Sequence, residues 1–288
     1  MNCTDSTTIS SLDGVTLAVH DFGGHGLPLV WAHATGFHSH CYQPLAARLS
    51  STFHSYAFDH RGHGAAEPVD PMHLVWDHYG NDAIAATSHV YSRSGNTPLI
   101  GVGHSMGGAT LLMAAKEQPH MFSALFIYEP IVFPPTDWSA DSYRNFENPL
   151  ATGARKRRSQ FESYSAALEN YSAKPPLMTF DSDVREQYVH FGFHDADDGV
   201  ALNCAPEQEA RTYETGGVAP PWNELATINI PVWVIAGKRL QKQPSSIAPL
   251  IAEQLPQATF VQWDEQGHFG PFEQPDVLCS FIARTMIS

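Results

Sequence analysis

The chain has 288 residues, of which 43% are apolar and 16% charged. Enough apolar surface is present to offset the ordering entropy of a large core, so a mostly disordered chain is excluded. The formal net charge of −14 disfavours nucleic acid and anionic membranes as partners.

The opening stretch MNCTDSTTIS lacks the basic and apolar regions of a secretory signal, and no apolar run is long enough to span a membrane. Cys3, Cys41, Cys204 and Cys279 are scattered without CxxC spacing, so reduced thiols and a cytoplasmic location are expected. The histidines include a close group, His33, His38 and His40, but no HExxH or paired Cys/His spacing accompanies it. Neither a metal nor another cofactor is expected.

In chain order, residues 7–23 read as an antiparallel hairpin turning at Asp13-Gly14. Strand-like runs follow at 27–33, 55–60, 99–104, 124–130, 232–237 and 258–263. Each is continuously apolar, as in a sheet covered by helices on both faces. Between them lie helical stretches at Gln43–Leu49, Asp77–Tyr91, Met106–Lys116, Ser246–Gln254 and Pro275–Met286. The alternation predicts an α/β fold with a mostly parallel, doubly wound sheet.

Residues 134–224 break the pattern. They hold 8 basic and 15 acidic residues, half of all the charged side chains in under a third of the chain. This segment is predicted to be a helical cap inserted into a core made of residues 1–133 and 225–288. Phe161, Tyr164, Leu168 and Tyr171 follow one helix face, which Pro175-Pro176 ends. Asp181 or Ser182 is suited to cap a second helix carrying Val184, Tyr188 and Phe191. The basic run Arg155 to Arg158 is expected to open the first helix as a solvated face, although cations are unfavourable at a helix start.

Gly103-His104-Ser105-Met106-Gly107 matches G-x-S-x-G between a strand and a helix. That turn lifts a serine oxygen clear of the sheet and needs glycines where the backbone is tight. The helix start adds unpaired N–H groups and a positive dipole end. A serine hydroxyl requires a base at neutral pH. His268, after the last strand, lies at the carboxyl edge of the sheet, where such folds bind ligands.

These motifs resemble the α/β-hydrolase fold over nearly the whole chain. His33-Ala34-Thr35-Gly36 resembles its HG-type oxyanion loop, Asp59 to Gly64 the loop after the next strand, and Gly267-His268-Phe269 its histidine loop. The resemblance implies an oxyanion hole from the backbone N–H groups of Met106 and Thr35, with Gly36 as the alternative to Thr35 because Ala34 replaces the usual glycine. It also implies an acid just after the strand at 232–237, but the chain there reads Lys238-Arg239-Leu240-Gln241. Glu129, at the end of the strand at 124–130, is the next candidate, as in the zearalenone lactonases of this fold. Asp264 and Glu265 are expected to be solvated, and Asp137 is a weaker reserve.

A serine at the elbow argues for acyl transfer to water rather than the epoxide or haloalkane chemistry of aspartate-bearing members. The expected function is hydrolysis of a small carboxylic ester or lactone through an acyl-enzyme. Carbon–carbon bond hydrolases, perhydrolases, acyltransferases and non-catalytic receptors of the same fold are the alternatives. The partner would be a small molecule with an apolar acyl group, with Phe37, His38 and His104 as candidate pocket residues. Of the cap aromatics Phe146, Phe161, Tyr164, Tyr188, Phe191, Phe193 and Tyr213, more are expected to pack the cap onto the core than to line a pocket.

Overall fold

The computed structural model describes residues 5–134, 148–216, 222–241 and 243–287. The core strands are β1 (Asp5–Ser10), β2 (Thr16–Gly24), β3 (Leu27–Ala32), β4 (Phe53–Asp59), β5 (Leu99–His104) and β6 (Phe122–Tyr128). The helices among them are α1 (Gln43–Leu49), α2 (Trp76–Arg93) and α3 (Met106–Glu117). Between β6 and the next core strand lie α4 (Pro149–Arg155), β7 (Gln160–Phe161), α5 (Tyr164–Ser172), α6 (Ser182–Gly192), β8 (Phe193–Ala196), β9 (Gly199–Leu202) and α7 (Pro206–Thr215). The chain closes with β10 (Val232–Gly237), α8 (Pro244–Gln254), β11 (Ala258–Trp263), the short α9 (Gly270–Glu273) and α10 (Pro275–Ile287).

Eight strands form one sheet in the order β1-β2-β4-β3-β5-β6-β10-β11. The β1–β2 and β2–β4 pairs are antiparallel and the rest parallel, as the strand–helix alternation predicts. The opening hairpin turns where expected: Ser10 pairs with Thr16, and Gly14 N–H donates to Ser11 O at 3.0 Å. Successive strand residues point to opposite faces. Leu125, Ile127, Val232 and Val234 therefore meet α2, α3 and α8, while Phe126, Tyr128 and Ile235 meet α1 and α10. Trp31 is fully buried, and Trp233 stacks on Phe126 with ring centroids 4.7 Å apart. No helix among the described residues is long and apolar enough to cross a membrane.

The segment between β6 and β10 packs on the second of these faces, through Phe161, Phe180, Val184, Tyr188 and Phe193. Asp181 caps α6, accepting from Asp183 and Val184 N–H, and its own N–H donates to Phe272 O at 2.8 Å. Three expectations fail here, the first being that Phe161 shares a helix face with Tyr164: it lies in β7, ahead of α5, paired with Val200. The segment is not all helical, because β7, β9 and β8 form an antiparallel sheet. Ala196 pairs with Gly199 across a tight Asp-Asp turn, a hairpin signal that the helical periodicity of its neighbours masks. The basic run does not open a helix either. Asn148 caps α4, and Arg155 lies in that helix's last turn, where cations face the negative dipole end. Within the run Arg157 is not a solvated charge. It bonds Glu209 of α7 and the hydroxyls of Tyr171 and Tyr188. Phe146 and Asp137 lie outside the described residues.

Many histidines are interior, which makes stability depend on pH. Burial, assisted by a neighbouring imidazole, pushes His33 and His40 down to about 3. Chiefly through burial, His38, His60, His63 and His104 shift in the same direction. These rings stay neutral in the folded chain but take protons once unfolded, so their stabilising contribution is complete above about 6.5 and declines as pH falls. Each ring that stays neutral in the folded chain adds to the loss of stability as pH falls below that point. Thermal melts from pH 8 to pH 5 should show Tm falling steeply below pH 6.5. A Tm that is flat or rises over that range would contradict the buried neutral histidines.

Candidate active site

Ser105 stands between β5 and α3 with φ 55° and ψ −114°, and it is 7% exposed. A non-glycine residue held there stores backbone strain, so the surroundings must over-determine the turn. They do so with three hydrogen bonds. Ser105 N–H donates to Tyr128 O at 2.9 Å, and Ser105 O accepts from Ala109 N–H at 3.2 Å and Ile131 N–H at 3.3 Å. A side chain at Gly107 would run into the Ala32 carbonyl, which explains the glycine after Met106.

Beside the elbow, residues Ala34–Phe37 make a tight turn closed by Phe37 N–H to Ala34 O at 3.1 Å, with Gly36 at φ 77°. The glycine also lets Glu209 come close, since a Cβ there would meet its Oε1 at 2.5 Å. The Thr35 hydroxyl donates to Met106 Sδ at 3.5 Å, so the two residues expected to supply oxyanion donors are neighbours. Met106 opens α3, and its N–H has no carbonyl within the helix to bond. His33 Nδ1–H donates to Ala34 O at 2.8 Å, and its Nε2 accepts from His60 N–H at 3.0 Å. That pair of bonds fixes the ring's tautomer and joins the turn to the loop after β4.

Glu129 follows β6 at φ 44° and is 1% exposed. Its Oε2 accepts from His268 Nδ1–H at 2.7 Å, and its Oε1 accepts from Gly237 N–H at 2.9 Å. A carboxylate this buried is costly unless hydrogen-bonded, and here both oxygens are occupied. The end of β10, where the resemblance implies an acid, thus supplies a backbone donor instead. Arg239 and the sequence neighbours Asp264 and Glu265 are exposed.

The His268 loop is held on several sides. Lys238 N–H donates to Gln266 O at 2.7 Å, and the Tyr128 hydroxyl donates to Gly267 O at 2.7 Å. His104, the residue before the serine, donates from Nε2 to His268 O at 2.8 Å, with the two rings 5.0 Å apart. His268, Glu129 and the Ser105 elbow are therefore brought together. Of the expected pocket residues, Phe37 packs among Phe180, Tyr188, Phe269 and Phe272. His38 donates to Tyr188 O at 3.1 Å and stacks on that ring. His104 is 2% exposed, with both ring nitrogens engaged. Sequence reasoning missed Tyr42 and Tyr128. Only Tyr128 left a signal, a hydroxyl in an apolar strand end beside Glu129 that would need a partner when buried. Among the described residues no group of three or more His, Cys, Asp or Glu side chains is arranged to hold a metal ion.

The family model described as Serine aminopeptidase, S33 (Hydrolase_4) matches residues 28–191, more than half of the chain. The chain belongs to this family of α/β-hydrolases. The matched stretch carries Ser105 and Glu129 and ends before His268. The monoglyceride lipase homolog of Monkeypox virus is 30% identical over 102 residues, 35% of this chain and 37% of the viral protein. The chain thus spans little more than a third of the length of that relative. The S33 chain also superposes on the peroxisomal α/β-hydrolase Lpx1 of Saccharomyces cerevisiae with a TM-score of 0.80 at 17% identity, covering 99% of this chain and 89% of that one. The enol-lactonase from Burkholderia xenovorans LB400 superposes with a TM-score of 0.66 at 20% identity, covering 98% and 100%. These likenesses establish the α/β-hydrolase fold.

Proposed function

We propose that the protein is a serine hydrolase that cleaves a small carboxylic ester or lactone through an acyl-enzyme. The observation that carries this reading is the 2.7 Å bond from His268 Nδ1–H to the buried Glu129, beside a serine on a strained elbow. With Nδ1 committed to Glu129, His268 presents Nε2 as the base for the Ser105 hydroxyl. Ser105 Oγ adds to the substrate carbonyl carbon while its proton passes to Nε2. The oxygen that gains the charge is received by the Met106 and Thr35 N–H groups, each worth about 3 kcal/mol in comparable sites. The tetrahedral species expels the alcohol, which takes the proton back from the imidazolium. Water then repeats the sequence on the acyl-serine and releases the acid.

Residues 134–224 serve as the cap in this reading. Their aromatic contacts with Phe37, which flanks the oxyanion turn, favour an apolar acyl group. The similarity to a monoglyceride lipase homolog and to an enol-lactonase agrees with an ester or lactone as the cleaved bond. A panel of p-nitrophenyl esters, lactones and vinylogous diketones tests the assignment. Turnover of short or medium acyl esters or lactones is expected. Preferential cleavage of the diketones would move the protein to carbon–carbon bond hydrolysis on the same residues.

A further inference from the structure

One buried chain of hydrogen bonds joins the two halves of the site and is not part of the nucleophile–base–acid set. Ala34 N–H, in the oxyanion turn, lies 3.3 Å from the Tyr42 hydroxyl oxygen. That hydroxyl is 3.1 Å from His104 Nδ1, and His104 Nε2 is 2.8 Å from the carbonyl oxygen of His268. Tyr42 is 1% exposed and His104 2% exposed.

The proton positions follow from chemistry. A carbonyl oxygen only accepts, so His104 carries its proton on Nε2 and Nδ1 is left as an acceptor. The Tyr42 hydroxyl must then donate to Nδ1, which leaves its oxygen free to accept from Ala34 N–H. Every donor along the chain has one acceptor, and the order runs one way, from the oxyanion turn to the backbone of the base. Burial supports this order by keeping His104 neutral, well below the ordinary histidine range. The flanking contacts hold the two rings in place: Tyr42 packs on Trp31 and Phe272, and His104 on Tyr128 and Phe272.

We propose that Tyr42 and His104 are positioning residues that set the spacing between the oxyanion donors and the imidazole of His268. This rests on the hydrolase reading above. Hydrolysis needs the base and the anion donors at a set separation, because both act on one tetrahedral centre. The base lies on the loop after β11, and Thr35, the donor on the bridged side, lies on the loop after β3. The bridge couples them through one phenol and one imidazole. The residue between Gly103 and Ser105 thereby acquires a role that a surface-facing side chain there would not have.

The test uses the full chain with a p-nitrophenyl ester, comparing Tyr42→Phe, His104→Leu and the double variant with the unmodified protein and Ser105→Ala. Tyr42→Phe keeps the ring and removes only the hydroxyl link. It is expected to lower kcat about 10- to 100-fold while KM changes less than about 2-fold. The two single losses should not multiply in the double variant, because both break one chain. If Tyr42→Phe does not fold, His104→Asn carries the same expectation. It keeps an acceptor near Tyr42 but is too short to reach His268 O. Unchanged kcat in Tyr42→Phe, or losses that multiply in the double variant, would overturn the bridge while an inactive Ser105→Ala leaves the hydrolase reading standing. Full turnover in Ser105→Ala would overturn both.

Discussion

Ser105→Ala is expected to lower kcat/KM toward a responsive ester by about four to six orders of magnitude. The size follows from what the substitution removes. Without the hydroxyl there is no acyl-enzyme, and the imidazole that the buried Glu129 holds has only water to activate. The Met106 and Thr35 donors would remain, so a small residual rate above the uncatalysed one is anticipated. The fold should survive, because the three bonds that fix the elbow use the Ser105 backbone and not its side chain. The left-handed φ of 55° is no worse for alanine than for serine. Steady-state kinetics beside a thermal melt separates the outcomes. Turnover within tenfold of the unmodified protein, with an unchanged Tm, would remove Ser105 from the chemistry.

Glu129→Gln is expected to lower kcat by about four orders of magnitude, with the protein still folded. Both carboxylate oxygens accept hydrogen bonds, from His268 Nδ1–H and from Gly237 N–H. An amide offers one acceptor and one donor in the same space. Either the imidazole meets an N–H and turns to the wrong tautomer, or Gly237 N–H is left without a partner. The first outcome stops Nε2 from accepting the serine proton. The loss of charge also removes the stabilisation of the imidazolium that forms during acylation. Near-unchanged kcat in this variant would mean that Glu129 is a structural carboxylate and that His268 is oriented from elsewhere.

Most of the architecture could be read from the chain before the structure. Six apolar runs and the helices between them follow from hydrophobic patterning; five of the strands are largely buried, whereas β11, at the sheet edge, has no buried residue and is not covered on both faces as expected. The elbow and the histidine loop were legible because their chemistry demands particular residues at particular junctions. Glu129 came forward through the lactonase resemblance, together with the cost of leaving a carboxylate without a partner at the end of the apolar strand ALFIY, and the structure places it in hydrogen-bond contact with His268. Other features left weaker traces. The β7-β9-β8 sheet lies among helical periodicities, and its Asp-Asp turn is a poorer signal than Asn-Gly. Arg157 reads as one of four surface cations, and only the fold brings Glu209, 52 residues away, against it. Tyr42 sits in an unremarkable polar stretch, and its link to His104 spans 62 residues, a distance over which no local pattern carries information.

The central claim is that Ser105 is an activated nucleophile, and the most direct measurement is covalent labelling. The folded protein is treated with a fluorophosphonate, digested and mapped by mass spectrometry. The account predicts one stoichiometric adduct on Ser105, absent in Ser105→Ala and formed far more slowly in His268→Ala. A folded protein that takes up no label, or carries it on another residue, would contradict it.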